Sequence, residues 1–253
     1  MTSVSHPLVS PSYRPAGGKA WRVVFDPVSY LALAGLLGAA LLTSTDAQAQ
    51  PMNVGDAMVA ATAYHDNGDY ERDFTSVIQD ASEWVRFRAS HVTKPALVLD
   101  IDETSLSNWP EIAANQFAYY RNGRCDDLPK GPCGVIAWET SAKAQAFPST
   151  LALYKMARQH GVTVFFVTGR SEGEREGTAH NLEAAGYQGW SELVLRPEGS
   201  HTASASDYKS AERARIEKLG YHIIANIGDQ PSDLAGGHAE RGFLLPNPFY
   251  RVP

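Results

Sequence analysis

Histidine and cysteine metal-ligand patterns are missing from this 253-residue chain: its 8 histidines show no ligand spacing, and its 2 cysteines are too few for a structural zinc site. Basic residues are also in deficit, 22 against 28 acidic ones, so the net charge is −6 and a nucleic acid polymer finds no basic footprint. Small nucleotides remain admissible ligands. No internal repeat and no low-complexity tract occurs, which excludes a solenoid. Long apolar runs are absent apart from one near the start, about residues 28–42, and that run is short for a bilayer span. No cysteine follows it, so a lipid anchor of the kind attached at such a cysteine is not expected.

What is present suits one globular domain with an appended leader. Arg14, Lys19 and Arg22 precede the apolar run, and Ala47-Gln48-Ala49 follows it, as in the charged region, apolar region and small-residue cleavage site of a secretory signal. Residues 1–49 are therefore expected to be removed, leaving 50–253 as a periplasmic or secreted protein without a stable membrane anchor. Cleavage takes away three basic and two acidic residues and leaves a net charge near −7. In that oxidising setting Cys125 and Cys133, eight apart in a loop with Gly123, Pro129, Gly131 and Pro132, read as a disulfide.

Along the chain, Asn53 to His91 carries spaced apolar residues (Val77, Ile78, Trp84, Val85, Phe87) and reads as helical, with Pro95 beyond its end. Ala96 to Leu99 is a short apolar run between Pro95 and charge, which reads as a buried strand. Residues 107–147 have no clear period, hold Trp109, Phe117, Tyr119, Tyr120 and Trp138, and read as a cap insertion over the strand end. Ser149 to His160 is an amphipathic helix stopped by Gly161. Val162 to Val167 is a second strand, followed by a Ser171/Glu174 capping box and a helix to Gly186. Further strands are expected at 192–195, 222–227 and 243–245, with a helix opened by Lys209 and ending at Gly220. Strands alternating with helices predict an α/β fold with a Rossmann-like parallel sheet.

Polar residues collect at the strand ends, where ligands sit in such sheets. Asp100 and Asp102 follow the first strand in a D-x-D-x-T pattern. Two carboxylates there are tolerable only if a cation binds between them or one keeps a proton. Thr168, Gly169 and Arg170 end the second strand beside a helix start, an expected anion site, with Arg170 a candidate partner for an acidic neighbour. Asp229 and Asp233 follow the fourth. Charge assigns the roles: Asp100 and Asp229 are hard oxygen ligands for Mg²⁺, while Thr168 and Lys209 hold phosphate oxygens. Asp100 is left as nucleophile and Asp102 as proton donor.

These motifs resemble those of the haloacid dehalogenase (HAD) superfamily of phosphatases, and residues from about 50 onward are similar to its subfamily IIIB branch of bacterial class C acid phosphatases and plant vegetative storage proteins. The resemblance is carried by residues 98–108, 167–196, 208–213, 227–234 and the terminal LPNPFYRVP. It implies a Rossmann-like core with a small cap, Mg²⁺ dependence, and hydrolysis of small phosphomonoesters through an aspartyl-phosphate. Residue by residue it implies Asp100 as nucleophile and Asp102 as general acid/base whose backbone carbonyl also binds the metal. Thr168 and Lys209 match the phosphate-binding pair, Asp229 the metal ligand, and Asp233 its outer support. Two departures stand out. The lipid-anchoring cysteine of class C members is missing, and Pro231 stands where plant members commonly have an aromatic residue.

Aromatic residues in the cap, able to stack on a base, make 5′-nucleotides one expected substrate. A non-catalytic storage or phosphate-ester-binding protein and a phosphotransferase stay open as alternatives, as does a homo-oligomer. The leader generates the first prediction: the exported protein begins at or near Gln50, and intact mass of the periplasmic or secreted form checks it. A full-length membrane-bound species is the opposite outcome.

Overall fold

The chain is described here by a computed structural model covering residues 51–199 and 204–252; the expected leader lies outside them. Helix α1, Val54–Asp66, starts where Asn53 accepts a hydrogen bond from the Gly55 N–H. The single helix expected over 53–91 is in fact two. Gly68 sits at φ +84°, a left-handed conformation that breaks the helical path, and α2 runs from Asp69 to Arg88. Its acidic first turn (Asp69, Glu71) and basic last turn (Arg86, Arg88) match the helix dipole. Tyr70, Phe74, Ile78, Ala81 and Val85 form its buried stripe.

Strand β1, Pro95–Leu99, is the centre of the sheet. After it come the two-residue strand β2 (Leu106–Ser107), α3 (Trp109–Ala114), α4 (Val135–Thr140), β3 (Gln145–Ala146) and α5 (Pro148–Gln159). Then follow β4 (Thr163–Ser171), a 3₁₀ turn at Glu172–Glu174, α6 (Arg175–Ala184), β5 (Glu192–Arg196), α7 (Ala205–Lys218), β6 (His222–Gly228), α8 (Pro231–Leu234) and β7 (Gly242–Leu244). The five long-sheet strands lie in the order β5-β4-β1-β6-β7, all parallel. The chain leaves β1 for β4 and β5 on one side and returns to β6 and β7 on the other, so the order reverses at β1. The crevice beyond its carboxyl end is the place where such a sheet binds ligands.

Both faces of the sheet are covered, which is why its strands read as unbroken apolar runs. Leu97 and Leu99 of β1, with Val164 and Phe166 of β4, face the core built from α2, α5 and α6. Ala96 and Val98, with Phe165 and Val167, face the opposite way onto Tyr208 and Ile216 of α7. The alternation is the period of two that a strand imposes. Each fully buried Leu or Phe contributes about 1.5–3 kcal/mol.

The segment after β1 leaves and rejoins the core at one narrow neck. Leu106 pairs with Ala146 and Ser107 with Gln145 in a short antiparallel ladder. Within the segment Cys125 and Cys133 are joined by a disulfide with Cα atoms 4.2 Å apart. Asn115, which caps α3, receives the Cys133 N–H at 2.7 Å and donates to the Cys133 carbonyl at 2.8 Å. The loop is thus tied to α3 by hydrogen bonds that survive reduction. Closing so short a loop should stabilise by at most about 3 kcal/mol in the chain-entropy model. Reduction should therefore leave the urea midpoint of the core nearly unchanged while speeding amide exchange within 116–134. Equal protection of that loop in oxidised and reduced protein would contradict this.

Candidate active site

Three adjacent strands deliver the polar residues to one cavity. Asp100 follows β1 directly, its N–H bonded to the Ile227 carbonyl of β6 at 3.0 Å. Asp229 follows β6, and Asp233 lies on α8 one turn later. Gly228 allows that return: a Cβ there would stand 2.2 Å from Asp233 Oδ2. Asp100, Asp229 and Asp233 are all buried, and each offers a carboxylate oxygen within 4.8 Å of the others. Lys209 lies one turn inside α7, whose N-cap is Ser204, rather than opening the helix. That setback brings Nζ to Asp100 Oδ1 at 2.6 Å and into a hydrogen bond with Asp233 Oδ1.

Three buried carboxylates against one ammonium leave excess negative charge. Burial, with the repulsion of Asp233 and Asp229, pushes the Asp100 carboxyl well above its ordinary value despite Lys209. Burial and the charge of Asp233 push Asp229 up to about 6. For Lys209 burial works against the ammonium, but Asp100 and Asp233 outweigh it and hold the pKa above the ordinary lysine value. A divalent cation fits this set, because hard oxygen ligands in surplus over local positive charge are what such an ion requires.

Asp102 is handled differently. Its carboxylate accepts from Arg170 Nη2 at 2.7 Å and Nε at 3.1 Å, and from Asn108 Nδ2 at 2.8 Å. Burial alone would raise its pKa, but the Arg170 charge overcomes that and the net direction is down. Arg170 therefore pairs with an acidic neighbour, and the neighbour is Asp102. Asn108 also donates to Glu103 and accepts from Trp138 Nε1 at 2.8 Å, which links Asp102 to the cap. Glu103, at φ +48°, turns the backbone away after the second aspartate.

The structure brings Asp100, Asp102, Gly169, Lys209, Asp229 and Asp233 to the wall of a cavity of about 630 Å³. Thr168 is not on that wall. It is fully buried behind Gly169, and its hydroxyl accepts the Arg170 N–H at 3.2 Å. The anion site expected at the following helix start also differs. Chain after β4 makes a 3₁₀ turn, and two of its N–H groups are already taken by carboxylates: Ser171 by Glu174 in the capping box, and Gly173 by Glu198 at 2.9 Å. Carboxylates of the protein occupy the place a helix dipole would offer to a ligand.

Several functional residues escaped the sequence reading. Asp229 Oδ2 accepts from Gln230 Nε2 at 2.6 Å and from Asn247 Nδ2 at 2.7 Å, and Oδ1 accepts from Thr104 at 3.3 Å. The C-terminal segment is laced to the same loop: Val252 N–H donates to Gln230 Oε1 at 3.0 Å and the Tyr250 hydroxyl to Glu103 Oε2 at 3.2 Å. The available signal was Asn247 between two prolines in a tail that cannot be helical.

Comparison with known proteins agrees with this fold, a mostly parallel five-stranded sheet with flanking helices of the HAD-like α/β class. A family model for HAD superfamily, subfamily IIIB (acid phosphatase), matches residues 36–253, and the chain belongs to that family. It is 34% identical over 185 residues to acid phosphatase 1 of Solanum lycopersicum, covering 72% of this chain and 69% of that protein. Vegetative storage protein 1 of Arabidopsis thaliana is 32% identical over 186 residues, with 73% of this chain and 66% of that one covered. The class C acid phosphatase from Bacillus anthracis shares the fold, with a TM-score of 0.62 at 21% identity over 78% of this chain and 85% of that one. This chain is an acid phosphatase, a phosphoric monoester hydrolase. Among the described residues no helix is long and apolar enough to cross a membrane.

One acid on the cavity wall gives a pH prediction. Glu111 of α3 is 6% exposed, and burial pushes its carboxyl up to about 7 from the ordinary 4.5; Asn115's hydrogen bond pulls the other way and Asp102 adds a smaller upward push. The fold thus prefers the neutral acid. Its contribution is fully present below 4.5 and is lost as pH rises toward 7. Glu111→Gln stays neutral throughout, so its Tm advantage over the parent should be near zero at pH 4.5 and grow up to pH 7. A constant difference across that range would remove Glu111 from the account.

Proposed function

We propose that this chain is an exported, Mg²⁺-dependent acid phosphatase that hydrolyses small phosphomonoesters through a phosphoryl group carried on Asp100. The observation that carries it is the buried Asp100 carboxylate at the end of the central strand, bonded to Lys209 and open to a cavity large enough for an ester. Asp100 attacks phosphorus, and Lys209 holds both the nucleophile and the equatorial phosphate oxygens, where transition-state charge collects. Asp102, oriented by Arg170 and Asn108, gives a proton to the leaving oxygen and takes one from the water that cleaves the aspartyl-phosphate. Thr168 steadies the turn that presents Gly169 to the phosphate.

Asp100, Asp229 and the Asp102 carbonyl would hold Mg²⁺, with Asp233 supporting from behind through Lys209 and the Gln230 N–H, which it accepts at 2.9 Å. Bound there, the ion would offset carboxylate and phosphate charge and so allow one anion to approach another. The leader supports export, and the cap aromatics support leaving groups with a flat face, 5′-nucleotides among them. An intact Asp100–Lys209 pair supports turnover over mere storage.

A chromogenic phosphate ester assayed with and without EDTA gives the first test: activity should vanish with chelator and return with Mg²⁺. Asp100→Asn should abolish turnover with the fold intact, because an amide is a poor nucleophile and a weaker ligand. Asp102→Asn should lose on the order of 10²-fold or more on alkyl esters, and less where the leaving group is already acidic. Folded Asp100→Asn protein with near-parental activity would mean the nucleophile lies elsewhere.

A further inference from the structure

We propose that the cavity contains a second anion subsite, made by Arg121 of the cap loop and Arg251 of the C-terminal segment, so that its preferred substrates are phosphomonoesters bearing another negative group on the leaving side. This rests on the phosphatase reading above and extends it to substrate class. Both arginines line the same cavity as Asp100. Their segments lie together: the rings of Phe117 and Phe249 stack at 6.2 Å, four residues before one arginine and two before the other.

Charge commitments around the rim single these two out. Arg170 is bound to Asp102. Glu174 closes its capping box, Glu198 takes the Gly173 N–H, and Glu139 lies 3.8 Å from Arg170. Among the described residues Arg121 and Arg251 are exposed and their guanidiniums make no hydrogen bond or ion pair. The acidic groups of the rim thus already have protein partners, whereas these two cationic forks line the cavity uncommitted, in a chain whose net charge is −6. A guanidinium fork matches the two oxygens of a carboxylate or the edge of a phosphate. The scissile phosphate belongs on the floor with Lys209. A cavity of about 630 Å³ leaves room between floor and rim for the leaving group and its distal anion.

Paired esters that each leave as a primary alcohol of a three-carbon chain test it: 3-phosphoglycerate, whose distal group is a carboxylate, against glycerol 3-phosphate, whose distal group is neutral. With Mg²⁺ in dilute buffer, kcat/KM should favour 3-phosphoglycerate about tenfold, mostly through KM, as expected for charge-assisted contacts remote from the chemistry. Raising salt to 0.5 M should erode the ratio. Each single variant, Arg121→Gln or Arg251→Gln, should reduce it, and the double variant should bring it near one. No preference in the parent, or a preference that the double variant leaves unchanged, overturns the subsite: the arginines are then ordinary solvated residues. Turnover of neither ester would sink the phosphatase reading alone. Calorimetric titration of both esters then decides the subsite, with tighter binding of 3-phosphoglycerate that is lost in the double variant upholding it, and equal or absent binding overturning it.

Discussion

Lys209, buried against Asp100 and Asp233, is the contact on which the rest of the site depends. Without that ammonium three carboxylates would share a dry floor with no counter-charge, and the fold would have to protonate or expel them. With it, one cation still faces three acids, so the site is stable as a protein yet short of positive charge. That shortfall of positive charge is what a divalent cation would offset, and the proposed metal would in turn let a phosphate approach the carboxylates. The neutral donors on Asp229, from Thr104, Gln230 and Asn247, orient its carboxylate without neutralising it.

The sheet order explains why these groups meet. Strands β4 and β6 flank β1, so their carboxyl ends stand next to Asp100 whatever the loops do. The segment after Asp100 and Asp102 is inserted through a neck of two residue pairs, and the C-terminal segment packs against it through the Phe117 and Phe249 rings. Both line the cavity beside the strand-end carboxylates, and both also pack into the core through Ile112, Trp138 and Phe249.

Asp102 shows how tightly cap and floor are joined. Arg170 holds it from β4, Asn108 from the entry to the cap, and Trp138 reaches Asn108 from α4. A shift of α4 would reach Asp102, the proposed proton donor, through two hydrogen bonds. The disulfide and the Asn115 amide pair limit such shifts within the cap loop itself.

Much of this protein is legible in its sequence, because strand alternation, helix stops and D-x-D-x-T are local patterns set by neighbours a few residues away. Leu97 and Leu99 announce a buried strand, Gly161 a helix end, and Asp100, Asp229 and Lys209 a polar cluster at the strand ends. Even the Cys125–Cys133 pair follows from two thiols in one short loop. Other features are decided only when distant segments meet. Lys209 and Asp100 are 109 residues apart, Arg170 and Asp102 are 68 apart, and Tyr250 and Glu103 are 147 apart. No local pattern encodes those distances. Gly68 splitting a helix was hidden because a lone glycine is tolerated inside many helices and only its φ reveals the break. At the helix start after β4 the sequence shows the capping box but not Glu198 folding back onto the Gly173 N–H. Residue types and their local order determined the chemistry available; the packing of β1, β4, β6 and the C-terminal segment decided which donor meets which carboxylate, since contact in space follows from the sheet rather than from spacing along the chain.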